Sequence, residues 1–408
     1  MGDLLADLLW PGDHRAGEVF ADSAFLEAMV AVEQGWLHAL AEAGIAPERT
    51  SLAGLVAAGD IGALAEGAEA GGNPVMGLVA LLRERSGSRW VHRGLTSQDV
   101  LDTALVLCLR TALDRVEESL AAQAATVAGL ARTHRDSVMA GRTLTQHAVP
   151  ITFGLKAAGW LAGLADAAVA VRRTHASLAV QAGGAAGTLA AVVELAGSAA
   201  DPVTGAEGLV RSLAAGLDLQ PGPSWHTRRT TFTTAGDALV GCADAWGRIA
   251  GDVALLSRPE IGELREVAGG GSSTMPHKAN PVLSVLVRRH AIAAPPLAAT
   301  LHVAAASYVD ERPAGAWHAE WSTLRLLARR SVVAASQTTD LLAGLQVDTA
   351  RMAATAAAAA DDLHAEQRSM AELAGRDAAG DYLGATSELI DAALDHAASV
   401  WPDLATEQ

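Results

Sequence analysis

Cysteine, lysine and aromatic residues are all scarce in this chain. Cys108 and Cys242 are its only cysteines. Two thiols are too few for a disulfide framework or a thiolate metal site, so a reducing compartment is expected, with the cytoplasm as the simplest location. Aromatic residues make up 4%, and β-branched runs are few while Ala and Leu abound, which selects helices over sheets. Basic residues number 30 against 46 acidic ones, a net charge of −16. Such a field repels nucleic acid and anionic membranes at long range, so an anionic substrate needs a locally positive pocket. Only Lys156 and Lys278 are lysines; all other basic positions are arginine.

Uncharged stretches that could span a membrane are also missing. Residues 174–193 contain His175, Gln181 and the run Gly183-Gly184-Ala185-Ala186-Gly187, and residues 290–309 contain two histidines and Pro295-Pro296. Such compositions suit close helix packing in a soluble bundle. Asp3 and Asp7 stand where a signal peptide needs positive charge, and Ala6 where a myristoylation motif needs Ser or Thr. Neither a leader nor a lipid anchor is therefore expected.

The 408 residues suffice for a large core and, at about 150 residues per domain, for two to four domains. Phe25, Met29, Val32, Trp36 and Leu40 recur at helical spacing before Gly44 and Pro47, which predicts a helix with one buried face. At Thr96-Ser97-Gln98-Asp99 a capping box opens a longer stretch, with Leu101, Leu105, Cys108, Ala112, Val116 and Leu120 on one face. Nothing interrupts it until about His134, which predicts ~38 helical residues and ~57 Å. Further long helices are expected over 151–181, 230–257, 281–293 and 320–342. Turn-rich breaks are expected at 138–150, 221–229 and 258–280. The fold class is thus all-α: an N-terminal helical domain (1–95), a central bundle of long helices (96–345) and a short C-terminal helical domain (346–408).

The most informative stretch is Gly269-Gly270-Gly271-Ser272-Ser273-Thr274-Met275-Pro276-His277-Lys278-Ala279-Asn280-Pro281. Glycines free the backbone, hydroxyls and a lysine gather, and Pro281 opens a helix at a favoured position. The segment concentrates anion-binding groups: exposed N–H groups, a helix N-terminus and a cation. It is not a Walker A loop, because no Gly-Lys-Ser/Thr follows, and no strand precedes it as a dinucleotide fingerprint requires.

Gly271 to Pro281 resembles the signature loop of the fumarase/aspartase superfamily, G-S-S-x-M-P-x-K-x-N-P, with every fixed position filled. His92-Arg93-Gly94-Leu95-Thr96-Ser97-Gln98-Asp99 and Gly141-Arg142-Thr143-Leu144-Thr145-Gln146-His147-Ala148-Val149-Pro150 resemble its first two signature regions. The resemblance implies a homotetramer on a twenty-helix core, each active site drawing one region from each of three subunits. Argininosuccinate and adenylosuccinate lyases carry a proton-transferring His where this chain has Leu144, which cannot move a proton. Gln146-His147-Ala148, residues 150–160, 183–190 and 311–321 are similar to the 3-carboxy-cis,cis-muconate cycloisomerases, which the chain resembles in particular.

That resemblance implies lactonization of an unsaturated tricarboxylate through an aci-carboxylate, with no cofactor and no metal. Such chemistry needs preorganised cations and N–H donors plus one proton donor. The matching positions make Ser272 or His147 the proton-transfer residue, a choice the sequence leaves open. Lys278, Asn280, Thr96, Ser97, His92, Arg93, Arg142, Gln146, Ser273 and Arg312 are the implied substrate-binding groups. Ala279 departs from the Arg that many relatives carry in the loop, and the tail is short. The alternatives are a fumarate-releasing lyase, disfavoured by Leu144, and a non-catalytic crystallin-like scaffold, disfavoured by the intact loop.

Overall fold

The capping signal at Thr96 opens a helix of 37 residues, Ser97–Thr133, within one residue of the length its periodicity predicts. The structure is a computed structural model that describes residues 7–47, 50–197, 201–267 and 279–405. Before this helix, here α4, come α1 (Asp22–Glu42), α2 (Ile61–Gly71) and α3 (Val75–Ser86). After it follow β1 (Val138–Thr143), β2 (Gln146–Thr152), α5 (Phe153–Ala176), α6 (Ala190–Leu195), α7 (Pro202–Leu217), α8 (Thr230–Leu256) and β3 (Leu264–Glu266). The chain continues through α9 (Val282–Ala306), α10 (Ala316–Ala343), β4 (Leu345–Val347), α11 (Thr349–Ala358), α12 (Ala360–Leu363), α13 (Ala365–Leu373) and α14 (Thr386–Val400).

Helices dominate, as the composition requires; beyond α7, which the sequence reading does not anticipate, two places differ from it. Residues 138–150 form an antiparallel hairpin rather than an irregular break, with Arg142 opposite His147 and Thr143 opposite Gln146. Helix α9 continues through Pro295 and Pro296 to Ala306, where the sequence reading ends it at Ala293. Both prolines are exposed, so water can serve the carbonyls of Ala291 and Ile292 that lose their N–H partners.

The described residues form two compact units. The first comprises 1–115, 171–239 and 295–333, and its core includes Trp36, Leu40, Leu78, Leu101, Leu109 and Phe232, none more than 1% exposed. Truncating a leucine in such a site costs about 2–5 kcal/mol. The second comprises 116–170, 240–294 and 334–408. Here Trp246 donates to Gln123, whose amide donates in turn to the Ala335 carbonyl, so a buried polar chain ties α8, α4 and α10. The hairpin is anchored where Ala140 and Val138 pack on Ala356 of α11, Leu363 of α12 and Ala359 between them.

Candidate active site

In the first unit, α4 begins where its capping residues meet two other segments. Asp99 Oδ2 accepts from the Thr96 N–H at 2.9 Å, one half of the expected capping box. The other half is not formed among the described residues: the Asp99 N–H donates to the Thr96 carbonyl at 3.0 Å, and the Thr96 hydroxyl is engaged elsewhere, with Arg312 Nη2 donating to Thr96 Oγ1 and to the Ala185 carbonyl. Asp99 also accepts from the Gly183 and Gly184 N–H groups, each at 2.9 Å, and from His226 Nε2 at 2.8 Å. The buried Asp99 thus locks the 183–187 turn to the start of α4. The Gly94 carbonyl stands 3.1 Å from where a Cβ on Gly184 would lie, and Gly183 has Ser224 Oγ at 2.4 Å from its own absent Cβ. That close approach is what the glycine run provides.

Just below, a buried cluster fixes the floor. Arg229 bonds Asp102 at 2.7 and 3.0 Å and Glu320 at 2.6 Å, with all three side chains at most 1% exposed. Its guanidinium faces the rings of Trp225 and Phe232 at 4.9 Å and Tyr308 at 5.3 Å. Burial alone would lower the Arg229 pKa, but the charges of Asp102 and Glu320 outweigh it and raise it. Burial pushes the Glu320 carboxyl up, with Asp102 adding to it and Arg229 opposing.

Of the residues named from the sequence, Thr96, Ser97, His92, Arg93 and Arg312 all belong to this unit. Thr96 and Arg312 are in direct contact. Arg93 is exposed and its Nε donates to the Arg89 carbonyl at 2.9 Å. The second unit carries Arg142, Gln146, His147 and Asn280. Gln146 and His147 are exposed near the hairpin tip. Arg142 makes a two-pronged bond to buried Glu263, at 2.8 and 2.9 Å, so in this chain its guanidinium ties the tip end of the hairpin to Glu263. Ser272, Ser273 and Lys278 lie outside the described residues.

One expectation needs correction. The N-terminus of α9 is read from the sequence as free to bind an anion, but its first-turn N–H groups are served internally. Glu266 accepts from Leu283 N at 3.1 Å and from Ser284 N at 2.8 Å. The protein's own carboxylate therefore complements that helix end. The sequence reading also passes over Glu33, His226, Arg229 and Glu320. Their partners are distant along the chain, and no local spacing marks them.

Comparison with known proteins completes the description. A family model described as Lyase matches residues 63–294. The nitrosuccinate lyase of Streptomyces davaonensis is 44% identical over 348 residues, which cover 82% of this chain and 73% of that protein. The 3-carboxy-cis,cis-muconate cycloisomerase of Bradyrhizobium diazoefficiens is 41% identical over 369 residues, covering 86% and 78%. The crystal structure of 3-carboxy-cis,cis-muconate lactonizing enzyme from Pseudomonas putida superposes with a TM-score of 0.79 at 31% identity, covering 94% of this chain and 97% of that one.

Proposed function

The chain is an enzyme of the lyase family within the fumarase/aspartase superfamily, and from that membership we propose that it is a cofactor-free cycloisomerase interconverting 3-carboxy-cis,cis-muconate and its lactone in aromatic catabolism. The observation that carries the reading is the Arg312–Thr96 contact at the start of α4. A guanidinium and a hydroxyl, on a turn whose backbone Asp99 already fixes, form a carboxylate-binding corner that needs little reorganisation on binding.

In the lactonizing direction one carboxylate adds to the diene and a proton reaches the carbon beside another carboxylate. The charge accumulates on that second carboxylate as an enediolate. Arg312, Thr96 and Ser97 hold a substrate carboxylate, Lys278 and Asn280 another, and Ser272 or His147 moves the proton. The enzyme works in the cytoplasm as a homotetramer with sites shared between subunits. Val285, Ile292 and Val303 support self-association: all three sit on α9 and are 56%, 74% and 66% exposed.

A second reading is elimination from nitrosuccinate. It is favoured by the 44% identical relative and by Ala279, which leaves the loop one cation short for a trianion and better matched to a dicarboxylate. The corner itself is tested by Thr96→Ala and Arg312→Met. Each removes a charge-assisted bond of about 1.5–3 kcal/mol, so KM for the accepted carboxylate should rise about 10–100-fold. Unchanged KM in both variants would remove the basis of the reading.

A further inference from the structure

Glu33 is an acid in an apolar place. It sits on α1 beside Val32, in the helix face that also carries Trp36 and Leu40, and it has no exposed surface. Its Oε1 is 2.6 Å from Nδ1 of His92, 59 residues away in sequence. Its Oε2 is enclosed with no partner among the described residues. An enclosed carboxylate oxygen without a donor costs about 1–3 kcal/mol, and a leucine would fill the same position without that cost. Packing alone therefore does not explain the residue.

The imidazole it holds is also unusual. His92 has φ +64°, in the left-handed region that non-glycine residues rarely adopt. One turn along α1, the Trp36 indole donates to the Arg93 carbonyl at 2.7 Å. The same helix face thus clamps two consecutive residues of the turn that leads into Thr96. Strained backbone persists where surrounding contacts over-determine it. With Nδ1 tied to Glu33, His92 Nε2 is left without a hydrogen bond among the described residues, and it is not among their enclosed polar atoms.

We propose that Glu33 is a positioning residue: it accepts the Nδ1–H of His92, fixes the tautomer and plane of the ring, and presents Nε2 to a substrate carboxylate at the corner built by Thr96 and Arg312. This rests on the carboxylate-binding reading above. A buried carboxylate orienting an imidazole whose other nitrogen meets the ligand is a general way of preorganising a histidine.

The test is a double-mutant cycle on the full-length enzyme with Glu33→Gln, which keeps volume, His92→Asn and the pair. Melting temperature follows folding, and Glu33→Asp replaces Glu33→Gln if the latter does not fold. The readouts are kcat and KM with 3-carboxy-cis,cis-muconate and calorimetric binding of tricarballylate, an unreactive tricarboxylate whose binding does not depend on the reaction catalysed. Each single variant should lose about 10–100-fold in kcat/KM and in tricarballylate affinity, and the double variant should be no worse than His92→Asn alone. Losses that multiply, or a Glu33→Gln enzyme that loses melting temperature but neither kcat/KM nor affinity, overturn the proposal. If His92→Asn binds normally while Thr96→Ala does not, Glu33 fails and the corner stands; if both bind normally, the corner itself is wrong.

Discussion

The Arg229 guanidinium meets the Asp102 carboxylate end on, Nη1 and Nη2 donating at 2.7 and 3.0 Å, with neither side chain reaching solvent. Glu320 completes the cluster, so two carboxylates share one buried cation. Breaking such a pair from one side leaves uncompensated buried charge and costs about 3–5 kcal/mol. Arg229→Met should lose that much at neutral pH. Because burial raises the Glu320 carboxyl in the fold, the folded protein takes up its proton more readily than the unfolded chain. This contribution to stability is greatest at acid pH and declines as pH rises from the unfolded value of 4.5 through the raised folded value. Without Arg229 the raised Glu320 carboxyl loses its counter-charge, so the deficit should shrink as pH falls from neutral toward the unfolded value of 4.5. Denaturant titrations of both proteins across that range check it; a deficit independent of pH contradicts the charge account.

Gly94 has φ +90°, and a Cβ there would lie 2.8 Å from Val192 Cγ2 and 3.6 Å from Trp36 Cζ2. Gly94→Ala combines a left-handed backbone with a close contact and should destabilise by about 1–3 kcal/mol. Since the turn carries His92 and leads to Thr96, KM should rise with the loss of stability. Urea unfolding beside steady-state kinetics measures both.

The hairpin tip is strained in a different way. Leu144 and Thr145 both have positive φ, 49° and 71°, in a two-residue loop where Asn-Gly is the usual choice. Leu144 is also 96% exposed. Replacing the pair by Leu144→Asn with Thr145→Gly should stabilise the fold by up to about 1 kcal/mol. If the tip works at a site, the same change should lower kcat/KM. Melting temperature and activity moving in opposite directions is the expected pattern.

How much of this was legible in the sequence depends on the distance over which each signal acts. The start of α4 announces itself through Thr96 and Asp99, and its length through an uninterrupted 3.6-residue stripe. The hairpin carries no local signal because Leu144-Thr145 holds no turn residue, and the end of α9 is masked because Pro295-Pro296 normally stops a helix. Glu33 looks like one more acid on an amphipathic helix; only the fold brings it to His92. Arg312 and Thr96, 216 residues apart, were named by resemblance, and no periodicity could have paired them. Three further named residues, Ser272, Ser273 and Lys278, lie outside the described structure.

The cysteines provide a probe of each unit. Cys108 belongs to the first and Cys242 to the second, and burial pushes both thiols up to about 12. Neither should react with an aromatic disulfide reagent in the native protein. Under mild denaturant, labelling of one thiol ahead of the other would identify the unit that opens first. Rapid reaction of either thiol in native buffer contradicts the burial.

The central claim, a cycloisomerase acting on a tricarboxylate, is tested most directly by incubating the purified protein in parallel with 3-carboxy-cis,cis-muconate and with nitrosuccinate. The account predicts loss of the diene absorbance with lactone as the product and no nitrite from the second substrate. Nitrite release with the diene left intact contradicts it and assigns the enzyme to elimination.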